Sequence, residues 1–373
     1  MNRSVETSIR FITRKWPPAV GGMETYSARI VDALQMFANV EVVALAGRED
    51  GKPPTTLALL YFGLTTTVRL LLSKPTAITH IGDMATWPFA VVARLRSKRT
   101  RIALSAHGTD VSFPLRGGLV ARLYDLYLKL GARLLPSAIV IANSTTTAQA
   151  AKRYGFNSVT VVPLATDIRR IVSTERHDTN LLFVGRLITL KGCAWFVRNV
   201  LPLLPEEMTL RVAGTVWDEN ERAALDDPRV TFLGPVYGEA LIREYSSALC
   251  VVVPNIDAPT RQFEGFGLTA LEAAASGGLV LASCHSGLRE AVIDGVTGFL
   301  LPSGEAGAWA MKIREIGSWS DDRRRTFIAD AITAIRQHYS WVRAAKDTLL
   351  AYSQPELAPS ENRPDSVTGK STA

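Results

Sequence analysis

The chain has 373 residues, 47% of them apolar, which is enough to bury a sizeable core and suits two domains better than one. Its net charge of +7 is unevenly shared: residues 1–172 hold 22 Lys and Arg against 10 Asp and Glu, and residues 173–373 hold 20 against 25, so the first half is the one expected to meet an anionic surface. Cys193, Cys250 and Cys284 stand far apart with no C-x-x-C pair, which argues against disulfides and structural zinc, and no window is apolar for the length of a membrane span.

The opening MNRSVETSIRFITRKW lacks the apolar run and cleavage pattern of a signal peptide, so a cytoplasmic location is expected, with the inner face of a membrane as its extension. Residues 9–14 read as a first strand and 15–22 as a loop stiffened by Pro17 and Pro18. Met23, Tyr26, Ile30, Leu34 and Phe37 then recur at helical spacing. Further β-rich runs follow: VEVVAL, AITHIGD, RIALSAHG, AIVIANS and VTVVPLA, with enough chain between them for crossover helices. That alternation predicts a parallel, doubly wound sheet with helices on both faces. Two connecting segments, 57–72 and 116–136, are apolar and carry basic residues. They read as crossover helices with basic outer faces, which every α/β domain needs, or as amphipathic helices lying on a membrane surface. The first reading is preferred.

A polar run, RRIVSTERHDT at 169–179, marks a boundary and gives domains of 1–170 and 171–336. The second half repeats the scheme with NLLFVGRL, TLRVAG, VTFLG, LCVVVPN, GLVLASC and GFLLP as strands. Two such sheets in tandem leave a cleft where their C-terminal ends face each other, and ligands bind in such crevices. Residues 337–353 read as a last helix, with Trp341, Ala345 and Leu349 on one face. The Pro/Ser/charge-rich stretch 354–373 reads as a disordered tail.

The candidate residues sit at predicted strand ends. In PPAVGGME, Gly21 and Gly22 permit a turn close to a phosphate, and Glu24 stands at a helix start. AHGTD places His107, Gly108 and Asp110 after a strand, where a histidine can bond a sugar hydroxyl, assist proton movement or serve structure alone. GRLITLKG offers Arg186 and Lys191, a guanidinium fork and a mobile ammonium able to hold a diphosphate from two sides. The richest stretch is FEGFGLTALEAAASGG, 263–278. A helix opening near Leu268 supplies free N–H groups for an anion, while Glu264 and Glu272 suit the hydroxyls of a neutral part of the same ligand. Phosphate plus sugar is the ligand type that needs both. HSGLRE, with Glu290, reads as a helix cap beside the same cleft. No Asp-x-Asp pair, metal-spaced His/Cys cluster, Walker loop, G-x-S-x-G elbow or G-x-G-x-x-G appears, so no metal or cofactor is expected. No basic run interleaved with aromatics suggests nucleic acid.

Together, GRLITLKG, the E-x7-E run in EGFGLTALEAAASGG, and GLREAVIDGVTGFLLP resemble the retaining glycosyltransferases of family 4, with GGME and AHGTD in support. The resemblance covers nearly the whole chain to about Ser353. It implies a GT-B fold of two Rossmann-like domains, and metal-independent transfer of a hexosyl group from a nucleotide-diphosphate sugar to a glycan or lipid-linked glycan of the cell surface. It also implies that Arg186 and Lys191 bind the donor diphosphate, Glu264 the sugar hydroxyls and Glu272 the ribose. Backbone amides of Gly265, Phe266, Gly267 and Leu268 would touch phosphates or sugar. His107 would lie by the donor sugar, Gly21 and Gly22 near donor phosphate and acceptor, Val236 near the nucleobase, and Glu24 and Asp110 on the acceptor side. The last helix would cross back onto the first domain. Retention would need no protein nucleophile, because the departing phosphate oxygen takes the acceptor's proton. The chain departs from the family pattern at ITLKG, at VPLATD, which keeps Asp167 without an Asn-Gly turn, and at CHSGLRE. The last brings Cys284 and His285 near the donor pocket and leaves the donor's identity open. A sugar-nucleotide epimerase of the same fold and a non-catalytic protein binding an anionic surface stay open as alternatives.

Overall fold

Runs of aliphatic and β-branched residues, buried on both faces, build two six-stranded sheets in which every pairing is parallel. The computed structural model describes residues 7–19, 21–48, 54–168, 177–257 and 260–353. In the first half, β1 (Ser8–Trp16), β2 (Asn39–Ala46), β3 (Ile78–Ile81), β4 (Arg101–Ala106), β5 (Ile139–Ala142) and β6 (Ser158–Val161) are joined by α1 (Gly22–Leu34), α2 (Thr56–Leu72), α3 (Pro88–Arg96), α4 (Thr109–Ser112), α5 (Gly118–Leu134) and α6 (Thr145–Arg153). In the second, β7 (His177–Val184), β8 (Thr209–Ala213), β9 (Val230–Gly234), β10 (Ala248–Val253), β11 (Val280–Ser283) and β12 (Phe299–Leu301) alternate with α7 (Cys193–Asn199), α8 (Glu219–Arg222), α9 (Gly238–Ser247), α10 (Leu268–Ala275) and α11 (Leu288–Ala291). The last helices are α12 (Ala306–Gly317), α13 (Asp321–His338) and α14 (Trp341–Ser353). Residues 169–176 of the expected boundary and the expected tail lie outside the described residues.

The strand orders are β2-β1-β3-β4-β5-β6 and β12-β11-β10-β7-β8-β9. The direction of winding reverses between β1 and β3 in one sheet and between β7 and β10 in the other. Open α/β sheets bind ligands beyond the C-terminal ends of the strands at such reversals. The two-domain α/β architecture expected from the alternation is the one found.

Helices α2, α3, α5 and α6 cover one face of the first sheet, with Phe62, Leu70, Trp87 and Leu128 inside. Segments 57–72 and 116–136 are therefore crossover helices. Their outer faces, however, are leucine-rich and not simply basic. On the opposite face, α1 and α14 share a core that runs without interruption into the second domain: Phe11 and Tyr26 belong to the same cluster as Phe266, Leu271 and Tyr339. Burying a side chain the size of Phe266 contributes about 1.5–3 kcal/mol, so this shared core holds the two domains face to face. The second domain's outer core is built around Phe183, Phe196 and Trp309.

The expected last helix divides in two. Residues 337 and 338 end α13, and α14 starts at Trp341. The break arises because Tyr339 is drawn into other bonds: its carbonyl accepts from Thr166 N–H at 3.0 Å, and its hydroxyl donates to the Glu290 carbonyl at 2.7 Å. Ser340 then accepts from Arg343 N–H at 3.3 Å as an N-cap. Arg343 donates to the carbonyls of Pro163 and Leu164, so α14 is tied to the end of the first sheet. Asp167 of VPLATD pairs with Arg29 on α1.

A buried polar chain fixes the far end of α14. Tyr26 Oη meets Ser105 Oγ at 2.9 Å, Ser105 meets His80 Nε2 at 2.7 Å, and His80 Nδ1 meets Tyr352 Oη at 2.6 Å. Burial, and secondarily the charge of His107, pushes the His80 imidazole down to about 3. A histidine whose folded pKa lies below its unfolded value takes up its proton on unfolding, so stability falls as the pH drops from about 6.5 toward 3. The expected contribution is about 1.4 kcal/mol per pH unit across that window. Urea midpoints measured against pH check it: the acid slope of wild type should flatten in His80→Asn, and an unchanged slope would refute the assignment.

Candidate active site

The reversal between β7 and β10 brings two distant loops together. After β7 the chain passes through Arg186 and a short turn to Lys191, and Gly192 adopts a left-handed φ of 71°. A Cβ there would strike the Pro254 carbonyl, so only glycine lets this loop lie against the one following β10. Ile256 N–H donates to the Leu190 carbonyl at 3.1 Å and fixes the approach. The result is a buried ion pair, Lys191 Nζ to Glu264 Oε2, with side-chain exposures of 14% and 15%. Asn255, fully buried, donates its Nδ2 to the same carboxylate oxygen at 3.1 Å. Burial alone would raise the Glu264 pKa. The attraction and hydrogen bond of Lys191, the bond from Asn255 and the charge of Arg186 outweigh it and hold the carboxyl below its ordinary value.

Arg186 is placed by an aromatic ring. Its guanidinium lies over the Trp217 ring, 5.4 Å from the centroid, and Trp217 donates its indole N–H to Thr215 Oγ1 at 2.9 Å. Cation–π contact of this kind holds the planar cation in place while leaving its N–H edge for an acceptor. Gly267, with φ of 100°, opens α10, and its missing Cβ makes room for Leu288. Phe266 is only 2% exposed, so any contact it makes with a ligand falls to its backbone. Glu272 stands in the second turn of α10, near enough to Tyr245 to raise the pKa of that buried phenol further after burial itself.

The first domain faces this cluster with two glycine loops. Gly22, at the start of α1, lies against Leu268 at the start of α10, so two positive helix ends meet across the cleft. Gly108, with φ of 78°, has no room for a Cβ because the Gly265 backbone occupies the space. Thr147 Oγ1 donates to the Gly265 carbonyl at 3.4 Å. His107 is buried beside Tyr26, and its Nε2 lies 2.9 Å from the Gly82 carbonyl. Since a carbonyl only accepts, that bond places a proton on Nε2.

Other expected residues have local partners. Asp110 accepts from His107 N–H at 2.9 Å and Met84 N–H at 3.1 Å, and burial raises its pKa despite those bonds. Glu24 pairs with Lys15 at 3.1 Å. Val236 follows the edge strand β9, two strands from the β7–β10 reversal. Glu290 does not cap its own helix as expected. Its Oε1 accepts from Thr145 N–H at 2.8 Å, so it caps the start of α6 in the other domain and ties the two together. In CHSGLRE, His285 bridges Asp257 at 2.7 Å and Ser286 at 2.9 Å.

Sequence reasoning missed Asn255, Thr147, Trp217 and Arg14. Asn255 ends a strand run and carried a usable signal, a polar residue beyond five buried aliphatic positions. The others become visible only once the cleft is assembled. Among the described residues ten buried side-chain polar atoms lack a protein partner, and four of them, Asp83 Oδ2, Asn143 Oδ1, Asn255 Oδ1 and Ser283 Oγ, lie at C-terminal strand ends of the two sheets. Buried polar atoms are rarely left unpaired, so these four are available to a polar ligand reaching the strand ends.

A family model described as Glycosyltransferase Family 4 matches residues 20–170, and one described as Glycosyl transferases group 1 matches residues 178–318. An uncharacterized glycosyltransferase of Methanocaldococcus jannaschii is 31% identical over 197 residues, which is 50% of this chain and 47% of that protein. A D-inositol 3-phosphate glycosyltransferase of Corynebacterium kroppenstedtii is 30% identical over 192 residues, 48% of this chain and 41% of that protein. The matched region thus spans under half the length of these relatives. Anabaena Alr3699/HepE, solved in complex with UDP and glucose, superposes with a TM-score of 0.69 over 93% of this chain and 99% of that one, at 19% identity, a likeness of fold.

Proposed function

This chain belongs to the family 4-type glycosyltransferases of two-domain GT-B fold, and we propose on that footing that it moves a hexosyl group from a nucleotide-diphosphate sugar to a glycan or lipid-linked glycan acceptor. The observation that carries this reading is the buried Lys191–Glu264–Asn255 cluster at the β7–β10 reversal, facing the glycine loops of the other domain. Lys191 and Arg186 meet the charge that develops on the departing diphosphate, which is the role a metal would otherwise fill. Glu264 is oriented by Asn255 to accept from sugar hydroxyls, and the amides at the start of α10 and α1 take the phosphates. The bond from the anomeric carbon to the phosphate oxygen breaks as the acceptor oxygen bonds to the same face. The acceptor's proton passes to the leaving phosphate, which retains configuration without a protein nucleophile.

A second reading, transfer to a small phosphorylated polyol, has one observation in its favour. Arg14, at the end of β1, is held by Asp83 through Nε at 3.3 Å and keeps 31% of its side chain exposed at the first sheet's reversal. A fixed guanidinium there suits an anionic acceptor.

The test is a thermal-shift panel of UDP, GDP and ADP, then their hexoses, followed by transfer assays with neutral and phosphorylated acceptors. One nucleotide should stabilise the protein by about 2.7 kcal/mol at a hundredfold excess over its Kd. Absence of stabilisation and of transfer across the panel would defeat the reading, and product formed without any acceptor would point to an epimerase.

A further inference from the structure

Helix α2, TLALLYFGLTTTVRLLL, is apolar on both sides with Arg69 as its one charge. Its inner side, Phe62, Thr66 and Leu70, packs on the first sheet. Its outer side bears Leu57, Leu60, Tyr61 and Leu64 at helical spacing, with Leu57 79% exposed. A helix that is apolar all round is ordinarily covered all round. Helix α5 repeats the arrangement. Ala121, Leu128 and Ala132 face inward, while Leu119, Leu123, Leu126 and Leu130 form an outward stripe, with Leu119 74% exposed.

The two stripes lie on one face of one sheet. Phe62 of α2 meets Phe89 of α3 edge-on, Arg96 of α3 donates to the Leu71 carbonyl at 3.0 Å, and Gly131 of α5 packs on Trp87 beside α3. Of the 24 exposed large apolar side chains described, 14 fall on α2, α3 and α5, so this is a patch and not ordinary scatter. The same face is basic. Helices α2 and α3 carry Arg69, Arg94 and Arg96 and no acid, and Arg69 pairs with Glu41 of β2. Helix α5 adds exposed Arg122, Lys129 and Arg133, and its one acid, Asp125, is already paired with Lys129.

We propose that this α2–α3–α5 face docks on a lipid bilayer carrying anionic headgroups, with the outward leucines in the acyl boundary and the basic residues at headgroup level. No described helix is long and apolar enough to cross a membrane, so the contact lies on the surface. A second copy of this chain is the poorer occupant, because a two-fold interface would set the basic rims against each other. The N-terminal ends of α2 and α5 sit at the cleft end of the sheet, since crossover helices run antiparallel to their strands. Docking therefore brings the acceptor side of the cleft to the bilayer. That last consequence rests on the proposed transfer to a lipid-linked acceptor, whereas the docking itself does not.

Vesicle flotation of the full chain tests docking without any need for activity. The protein should float with phosphatidylcholine vesicles containing 30% phosphatidylglycerol, and at least tenfold less with phosphatidylcholine alone or in 0.5 M salt. Leu60→Gln with Leu123→Gln should cut binding at least tenfold and leave the melting temperature and any UDP-induced shift unchanged. Lack of flotation with anionic vesicles, or full binding by the double variant, would overturn the proposal. So would a concentration-dependent dimer in light scattering that the same substitutions abolish, which would assign the face to a second copy.

Discussion

Replacing Lys191 with alanine is expected to lower kcat about 10²–10³-fold with a confirmed donor, the usual size of one lost contact to a developing oxyanion. The ion pair gives that substitution a second consequence. Glu264 would keep only Asn255 as a bonded partner in a site of 15% exposure, and breaking a buried pair from one side costs about 3–5 kcal/mol. Activity and stability would then fall together, and a folding defect could pass for a catalytic one. The double variant Lys191→Met, Glu264→Gln separates them. It removes both charges and should regain most of the lost stability while leaving transfer no higher than in the single variant. Wild-type kcat in Lys191→Ala, or recovery of activity in the double variant, would remove Lys191 from the leaving-group role. Because the Glu264 pKa is depressed in the fold, the pair's contribution is present above the ordinary carboxyl range and lost as pH falls through the folded value.

A methyl group at Gly265 should cost about as much activity by a different route. Its Cβ would stand 2.5 Å from the His107 carbonyl oxygen and 3.1 Å from Gly108 Cα, both backbone atoms that cannot swing aside. Gly265 has no left-handed φ, so Gly265→Ala is compatible with its own domain and acts on the contact between domains. Overpacking of this kind costs about 1–3 kcal/mol, and displacing the facing groups by about 1 Å can lower kcat about 10²-fold. The expected result is a stable protein with a larger radius of gyration by small-angle scattering and a depressed kcat. Gly307→Ala, in α12 with nothing near its added Cβ, is the control and should leave both unchanged. An unchanged radius and rate in Gly265→Ala would show that closure does not depend on this glycine contact.

Much of the fold was legible because its signals are local. ALCVVV and IVIA are continuous apolar runs, as strands covered on both faces must be, and each was placed within a few residues. Loops at strand ends were legible for the same reason: glycines and charges interrupt the apolar runs where the chain must turn. The helix break at Tyr339 was not, because it is caused by Thr166 and Glu290, far away in the chain. Glu290 itself looked like a local cap, since nothing in GLREAV reveals that the first N–H of α6 lies within reach of its carboxylate. The outward leucines of α2 and α5 were visible as apolar residues, but periodicity alone does not say which side of a two-sided helix finds a sheet.

The sequence by itself determined two parallel α/β units, their strand ends, and the polar residues available there, because side-chain periodicity and turn chemistry act over a few positions. Only the tertiary structure decided who meets whom. Lys191 and Glu264 lie 73 positions apart and join because β7 and β10 are neighbours in the sheet, with a glycine at 192 where any Cβ would keep their loops apart. Cleft closure depends likewise on Gly108 and Gly265, whose fit is a matter of backbone contact between domains that no local pattern encodes.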